Sequence, residues 1–189
     1  LLDALIKASK RITGFHKESM PKEWSDTKAG YGSIVRAVEK AGLYIPGGTA
    51  LYPSTVLMSA IPAKIAGVSE VIICTPSKTG LPHDYILAAA KIANVDRIFT
   101  LGGAQAIAAM AYGTETVPKV DLICGPGNIF VTLAKKQVYG DVGIDGIYGP
   151  TETMIVADET ADPELCIYDL MAQAEHDEQS IPTLVTTSH

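Results

Sequence analysis

The chain is poor in several features that would have fixed its class at once, and each scarcity excludes something. It has only three cysteines in 189 residues, Cys74, Cys124 and Cys166, scattered and odd in number. That count argues against a disulfide framework and against a cysteine-based zinc site, and reads as reduced thiols in a cytoplasmic protein. Basic charge is in deficit. The net charge of −6 argues against broad contact with nucleic acid or an anionic membrane, which reward clustered Lys and Arg. Long apolar runs are missing too: the longest charge-free stretch, residues 44–63, is broken by Pro46, Pro53 and Pro62, so a membrane span is not expected. The start, Leu1-Leu2-Asp3-Ala4, lacks the basic region and apolar core of a secretory signal. There is no low-complexity tract and no repeat of fixed period. What remains is 47% hydrophobic and 19% charged, the balance of a folded chain long enough to bury a core.

The pattern that is present is a recurring strand–glycine–helix unit. Residues 1–17 have amphipathic helical spacing, followed by a polar loop around residues 22–26 and a short run at 33–38. Helical spacing with few charges at 52–67 predicts a helix packed on a sheet, and Val71-Ile72-Ile73-Cys74 predicts a strand buried on both faces. The alternation continues with a helix at 83–93, a strand at 97–101, a helix at 104–112, a strand at 120–124 and a helix at 128–139 closed by Gly140. A further strand is expected at 154–157. A helix from 162 to 178 follows, opened by Asp162 as cap and Pro163 as first residue, and a last strand at 183–187. This order predicts an α/β fold: a parallel sheet with helices on both faces, whose ligand sits beyond the carboxyl ends of the strands, where the glycine turns lie.

Four turns are candidates for that ligand site: Tyr44-Ile45-Pro46-Gly47-Gly48-Thr49, Gly102-Gly103-Ala104-Gln105, Gly125-Pro126-Gly127-Asn128 and Gly149-Pro150-Thr151-Glu152. Glycine permits positive φ and close backbone approach, and a helix N-terminus favours a pyrophosphate. None carries the three-glycine dinucleotide fingerprint with its following acid, and any parallel sheet needs glycine at such corners. Thr151 either binds a polar ligand group or closes its turn. In Gln173-Ala174-Glu175-His176 the first and last residues are three apart on a helix, so amide oxygen and imidazole can reach one point, as two neutral zinc ligands would. The plain alternative is a capping Gln and a solvent-facing His, with Glu175 solvated on another face. Cys124 precedes a helix start and is either a dipole-activated thiolate or, since it ends a buried strand, a core thiol. His16 and His83 read as helix-surface residues.

Taken in order, Gly42-Leu43-Tyr44-Ile45-Pro46-Gly47-Gly48, Gly102-Gly103-Ala104-Gln105-Ala106-Ile107-Ala108, Val117-Pro118-Lys119-Val120-Asp121, Gly125-Pro126-Gly127-Asn128, Gly149-Pro150-Thr151-Glu152 and Gln173-Ala174-Glu175-His176 closely resemble the histidinol dehydrogenase family. The resemblance implies a Rossmann-like NAD-binding domain at 44–148, inserted in a partial second α/β domain formed by 1–43 and 149–189. It implies that Tyr44, Gln105 and Asn128 contact NAD. Thr151, where the family commonly has Ser, would contact substrate, and Gln173 and His176 would bind both zinc and substrate. The implied activity is zinc-dependent oxidation of L-histidinol to L-histidine through the aldehyde, with two hydride transfers to NAD, in a homodimeric enzyme of histidine biosynthesis. The family's adjacent Glu-His base pair and its remaining zinc ligands, an Asp and a His, come from later sequence, so the resemblance implies an incomplete, inactive piece of that enzyme. A relative oxidising another small polar alcohol, a non-catalytic nucleotide-binding module and a plain α/β interaction domain are the alternatives.

Overall fold

The computed structural model describes residues 2–47, 51–148, 152–175 and 179–188. It divides into two compact units, Leu1–Ile147 and Tyr148–His189.

The first unit opens with helix α1 (Leu2–Glu18). Leu5, Ala8 and Ile12, spaced three and four apart, form the face that packs on the core, while Phe15 points to solvent. Where a polar loop was expected, a hairpin forms from β1 (Trp24–Asp26) and β2 (Tyr31–Ser33). Its strands are too short to show alternation in the sequence. The hairpin rests instead on its turn, where Asp26 Oδ1 accepts the Lys28 and Ala29 N–H groups at 2.9 and 3.0 Å. Edge-to-face packing of Trp24 on Tyr31, with centroids 5.7 Å apart, ties the two strands.

The core of this unit is a five-stranded sheet in the order β5-β4-β3-β6-β7, every pair parallel. Its strands are β3 (Lys40–Tyr44), β4 (Glu70–Cys74), β5 (Arg97–Phe99), β6 (Leu122–Cys124) and β7 (Gly143–Ile144). The intervening helices are α2 (Pro53–Ile65), α3 (Asp84–Ile92), α4 (Gly103–Tyr112) and α5 (Ile129–Val138). The strands and helices expected between residues 52 and 139 are all present, most of them one or two residues shorter at an end, while β4 and α4 each begin one residue earlier than expected. Strand β3, the middle strand, was not expected, because Lys40-Ala41-Gly42 carries little strand propensity. Pairing on both sides makes it a strand, and Gly42 is needed there. A Cβ at Gly42 would lie 2.5 Å from Met110 Sδ and 3.1 Å from Val120 Cγ2.

Alternation along the strands feeds two hydrophobic layers. Leu43, Val71 and Ile73 join Val56, Leu57, Ala60, Ile86 and Ala89 of α2 and α3 on one face. Tyr44, Ile72, Cys74 and Ile123 join Ala106, Ile107, Met110 and Val131 of α4 and α5 on the other. Helices therefore cover both faces, and β4 is a continuous apolar run because neither face meets water. At the opposite end from the glycine turns, Asp96 ties three elements together. Its Oδ2 accepts from Lys64 Nζ at 2.5 Å and from the Val71 N–H at 2.6 Å. Partial burial alone would raise this carboxyl, but those two donors outweigh it and hold Asp96 below the ordinary carboxylate range.

The second unit is one strand–helix–strand turn: β8 (Glu152–Ala157), α6 (Pro163–Ala174) and β9 (Ile181–Thr186). The two strands pair in parallel from Glu152↔Ile181 to Ala157↔Thr186. Helix α6 starts as its sequence dictates: Asp162 Oδ1 accepts the Glu164 N–H at 2.9 Å, with Pro163 at the first position. It stops earlier than residue 178. Glu175 is the C-cap, its N–H turned back to the Met171 carbonyl at 3.0 Å. Among the described residues no helix is long and apolar enough to cross a membrane.

Candidate functional site

In a doubly wound sheet the strand order reverses where the first strand of the sheet lies beside a later one, and the carboxyl ends of those two strands open a crevice. Here that point lies between β3 and β6, paired from Ala41↔Leu122 to Leu43↔Cys124. The turn after β3 begins at Tyr44, the turn after β6 is Gly125-Pro126-Gly127-Asn128, and Gly102-Gly103 follows β5. All three lie on the carboxyl rim of one sheet.

Tyr44 joins the three turns. Its ring is buried among the residues beneath α4 and α5, with 5% of its surface exposed. The hydroxyl accepts the Gly103 N–H at 3.1 Å, at the N-terminus of the helix that carries Gln105. On the other side, Gly125 packs against the Tyr44 backbone so tightly that a Cβ there would stand 2.1 Å from the Tyr44 carbonyl oxygen. Gly125 also has φ +119°, a value L side chains rarely adopt. Glycine is required at this corner on both counts.

Asn128 is the N-cap of α5. Its Oδ1 accepts the Phe130 and Val131 N–H groups at 3.1 and 3.2 Å. That engagement leaves the side-chain Nδ2 as the group free to donate toward a ligand on the rim. Gln105 is exposed in the first turn of α4. The structure therefore brings Tyr44, the start of the Gln105 helix and the Asn128 turn together. Thr151 and His176 lie outside the described residues. Gln173 is half-buried in the last turn of α6, in the second unit. Among the described residues no group of three or more His, Cys, Asp or Glu could hold a metal. Of the expected metal pair only Gln173 is therefore among the described residues, and no chemistry is derived through a metal ion.

Beside the rim, a cavity of about 570 Å³ opens between the ends of β3 and β4, lined among others by Gly47, Thr75, Ser77, Lys78, His83 and Asp84. Of the residues named, only Gly47 belongs to a turn expected to meet a ligand. His83 proves to be more than a surface residue: it caps α3, its Nδ1 accepting the Tyr85 N–H at 3.2 Å. Two further residues went unnoticed, Lys135 and Asp145, which form an ion pair under the Gly125 turn. Their signal was legible. Val131, Ala134, Lys135 and Val138 are the buried stripe of α5, and a lysine on an apolar stripe needs a partner.

Cys124 is no activated nucleophile. Burial first, and the Asp145 carboxylate second, push its thiol up to about 11, against the smaller opposing pull of Lys135. Cys74, fully buried, is pushed up to about 12 by burial. At neutral pH, iodoacetamide should label Cys166 of the folded protein well before Cys74 or Cys124. Peptide mass mapping over a time course checks this, and equal labelling of all three would contradict the burial argument.

Comparison with known proteins agrees with this architecture. The family model described as histidinol dehydrogenase matches residues 1–189. The histidinol dehydrogenase of Parasynechococcus marenigrum (strain WH8102) is 53% identical over 193 residues, covering 100% of this chain and 44% of the relative. That of Dehalococcoides mccartyi (strain CBDB1) is 54% identical over 190 residues, again covering 100% of this chain and 44% of the relative. The crystal structure of histidinol dehydrogenase from Elizabethkingia anophelis superposes with a TM-score of 0.86 at 41% identity, covering 96% of this chain and 43% of that one. The chain thus spans less than half the length of the relatives it matches. With a family model matched from end to end and a sheet that superposes on a solved member, this chain belongs to the histidinol dehydrogenase family.

Proposed function

We propose that this chain supplies the nucleotide-handling part of a cytoplasmic, homodimeric, zinc-dependent dehydrogenase that oxidises L-histidinol to L-histidine through the aldehyde. NAD, when bound, accepts the hydride at each oxidation. The observation that carries the nucleotide reading is the meeting of three turns at Tyr44: its hydroxyl on the Gly103 N–H, and Gly125 pressed on its backbone. A crevice at a strand-order reversal, rimmed by the N-termini of α4 and α5, fits a dinucleotide, because helix N-termini favour its pyrophosphate.

Each residue has a distinct task in this reading. The Tyr44 hydroxyl, already an acceptor for Gly103, keeps its own proton to give to the ligand. Asn128 donates through Nδ2 because its oxygen is engaged in the cap. Gln105 offers an amide from the first turn of α4. Thr151, Gln173 and His176 would meet substrate, and Gln173 with His176 would contribute two of the zinc ligands. The others would have to come from sequence outside this chain. The reading also takes 44–148 as the inserted nucleotide domain, with 1–43 and 149–189 belonging to a second one. The acidic balance speaks against nucleic acid as a partner.

The test uses one substitution that separates capping from binding. Asn128→Asp keeps an equally good N-cap oxygen but removes the donor and adds a negative charge facing a polyanionic ligand. Isothermal titration with NAD should give a saturable signal for the parent and at least tenfold weaker binding for Asn128→Asp, with melting temperatures within about 2 °C of each other. No NAD binding by the parent, or undiminished binding by the variant, defeats the assignment.

A further inference from the structure

Lys135 is 3% exposed, the only charged side chain in the core among the described residues. Burying an ammonium group is costly unless it is paired and fully hydrogen-bonded. Here Nζ donates to the Asp145 carboxylate and to the Gly125 carbonyl, the latter at 3.1 Å. The other Asp145 oxygen, Oδ2, accepts the Gly125 N–H at 2.8 Å. Oδ1 accepts the Gly146 N–H at 2.9 Å as well as the lysine. One ion pair therefore holds both polar groups of a single glycine. Asp145 is itself anchored to the sheet, its N–H bonded to the Ile123 carbonyl of β6 at 3.1 Å.

Stability alone does not account for this arrangement. Apolar residues of similar volume in place of a buried ion pair are often neutral or stabilising, so such a pair is weak evidence of a contribution to folding. What a pair does supply is direction. Gly125, at φ +119°, is free to adopt many conformations in the absence of restraint, and Pro126 beyond it offers no N–H for a turn hydrogen bond. With its N–H and C=O both fixed, the planes of the two peptides flanking Gly125 are set. The start of the path through Pro126 and Gly127 to the Asn128 cap is set with them.

We propose that Lys135 and Asp145 are positioning residues for nucleotide binding: their pair locks the Gly125 peptides, and through that turn sets where Asn128 offers Nδ2 to the ligand. The inference rests on the nucleotide reading of this turn but concerns residues that touch the turn from behind, not the ligand. It predicts that loosening the pair moves affinity more than it moves stability, the reverse of what a purely structural ion pair would do.

Three variants test it. Lys135→Met with Asp145→Leu removes both charges together, so no unpaired ion is left buried. Lys135→Met alone leaves the carboxylate unpaired. Asp145→Asn keeps an acceptor for the Gly125 N–H but leaves the Lys135 ammonium without a counter-charge, the converse of Lys135→Met. Each is followed by thermal melting, by NAD titration, and by amide hydrogen exchange at Gly125, Gly127 and Asn128 read from assigned NMR spectra. The double variant should exchange at least tenfold faster at Gly125 and bind NAD at least tenfold more weakly, and it should melt above both single variants, each of which leaves a buried charge unpaired. Unchanged exchange at Gly125 and Asn128 in the double variant overturns the proposal, and so does faster exchange with unaltered NAD affinity. If the parent binds no NAD, the nucleotide reading is what fails, and the exchange measurement alone then decides whether the pair holds the turn.

Discussion

Gly125→Ala should destabilise the protein by more than about 3 kcal/mol, the sum of a strained left-handed φ and a collision that cannot be relieved locally. The added Cβ would sit 2.1 Å from the Tyr44 carbonyl oxygen and 3.0 Å from its carbonyl carbon. Both are backbone atoms of the middle strand, and relief would have to come from moving β3. That strand is held on one side by β4 through the Tyr44↔Cys74 register and the Ile45 N–H to Cys74 carbonyl bond at 2.9 Å, and on the other by β6. Gly42→Ala is the informative control. Its Cβ would come within 2.5 Å of Met110 Sδ, the flexible end of a side chain, at a φ outside the left-handed region. Overpacking of that kind costs about 1–3 kcal/mol, and an adaptable thioether places it at the lower end. Urea denaturation followed by far-UV circular dichroism should therefore rank the parent first, Gly42→Ala next, and Gly125→Ala far behind or unfolded. Equal midpoints for the two variants would show that the Gly125 corner is not the rigid contact described.

The second large effect is a loss of stability at alkaline pH traceable to one thiol. Cys74 lies at the end of β4 with no exposed surface, and burial pushes it from its ordinary 9.0 up to about 12. A folded-state value above the unfolded one means the native state holds the proton more tightly. The stability this represents is fully present below about pH 9 and is lost as pH rises toward 12, because the unfolded thiol ionises first. Each pH unit in that window removes about 1.4 kcal/mol, so a comparison at pH 7.5 and pH 10.5 should register about 2 kcal/mol from Cys74 alone. Cys74→Ala lacks that ionisation. It should be less stable than the parent at pH 7.5, from the lost packing, and should close or reverse the gap at pH 10.5. A gap between parent and variant that is the same at both pH values would show that Cys74 ionises as readily in the folded protein as in the unfolded chain.

Local chemistry made much of this architecture legible in advance. Val71-Ile72-Ile73-Cys74 announced a strand covered on both faces, and both hydrophobic layers meet on it. Asp162-Pro163 announced the first turn of α6, since a side-chain acceptor followed by a residue lacking N–H suits a helix start. The end of that helix differs from the pattern, which runs on through Gln173-Ala174-Glu175-His176, whereas the helix closes at Ala174. Nothing in the side chains there forbids another turn, so the stop was not written locally. The β1–β2 hairpin escaped notice for a related reason, because strands of three residues are too short for periodicity to register.

The candidate site divides along the same line. By itself the sequence determined the parallel α/β class, the glycine corners and the family, because those depend on periodicity, on residues with unusual backbone freedom and on blocks of residues in a fixed order. It placed Asn128 at a helix start, and the structure keeps it there as the cap. Only the tertiary structure decided that Lys40–Tyr44 is the middle strand, that Tyr44 bridges to Gly103 across 59 positions, and that Lys135 and Asp145 grip Gly125 from below. Strand order and buried pairing arise from contacts between segments distant in the chain. The apolar stripe of α5 marks Lys135 as a lysine in need of a partner, but which carboxylate meets it is decided by where a distant segment folds.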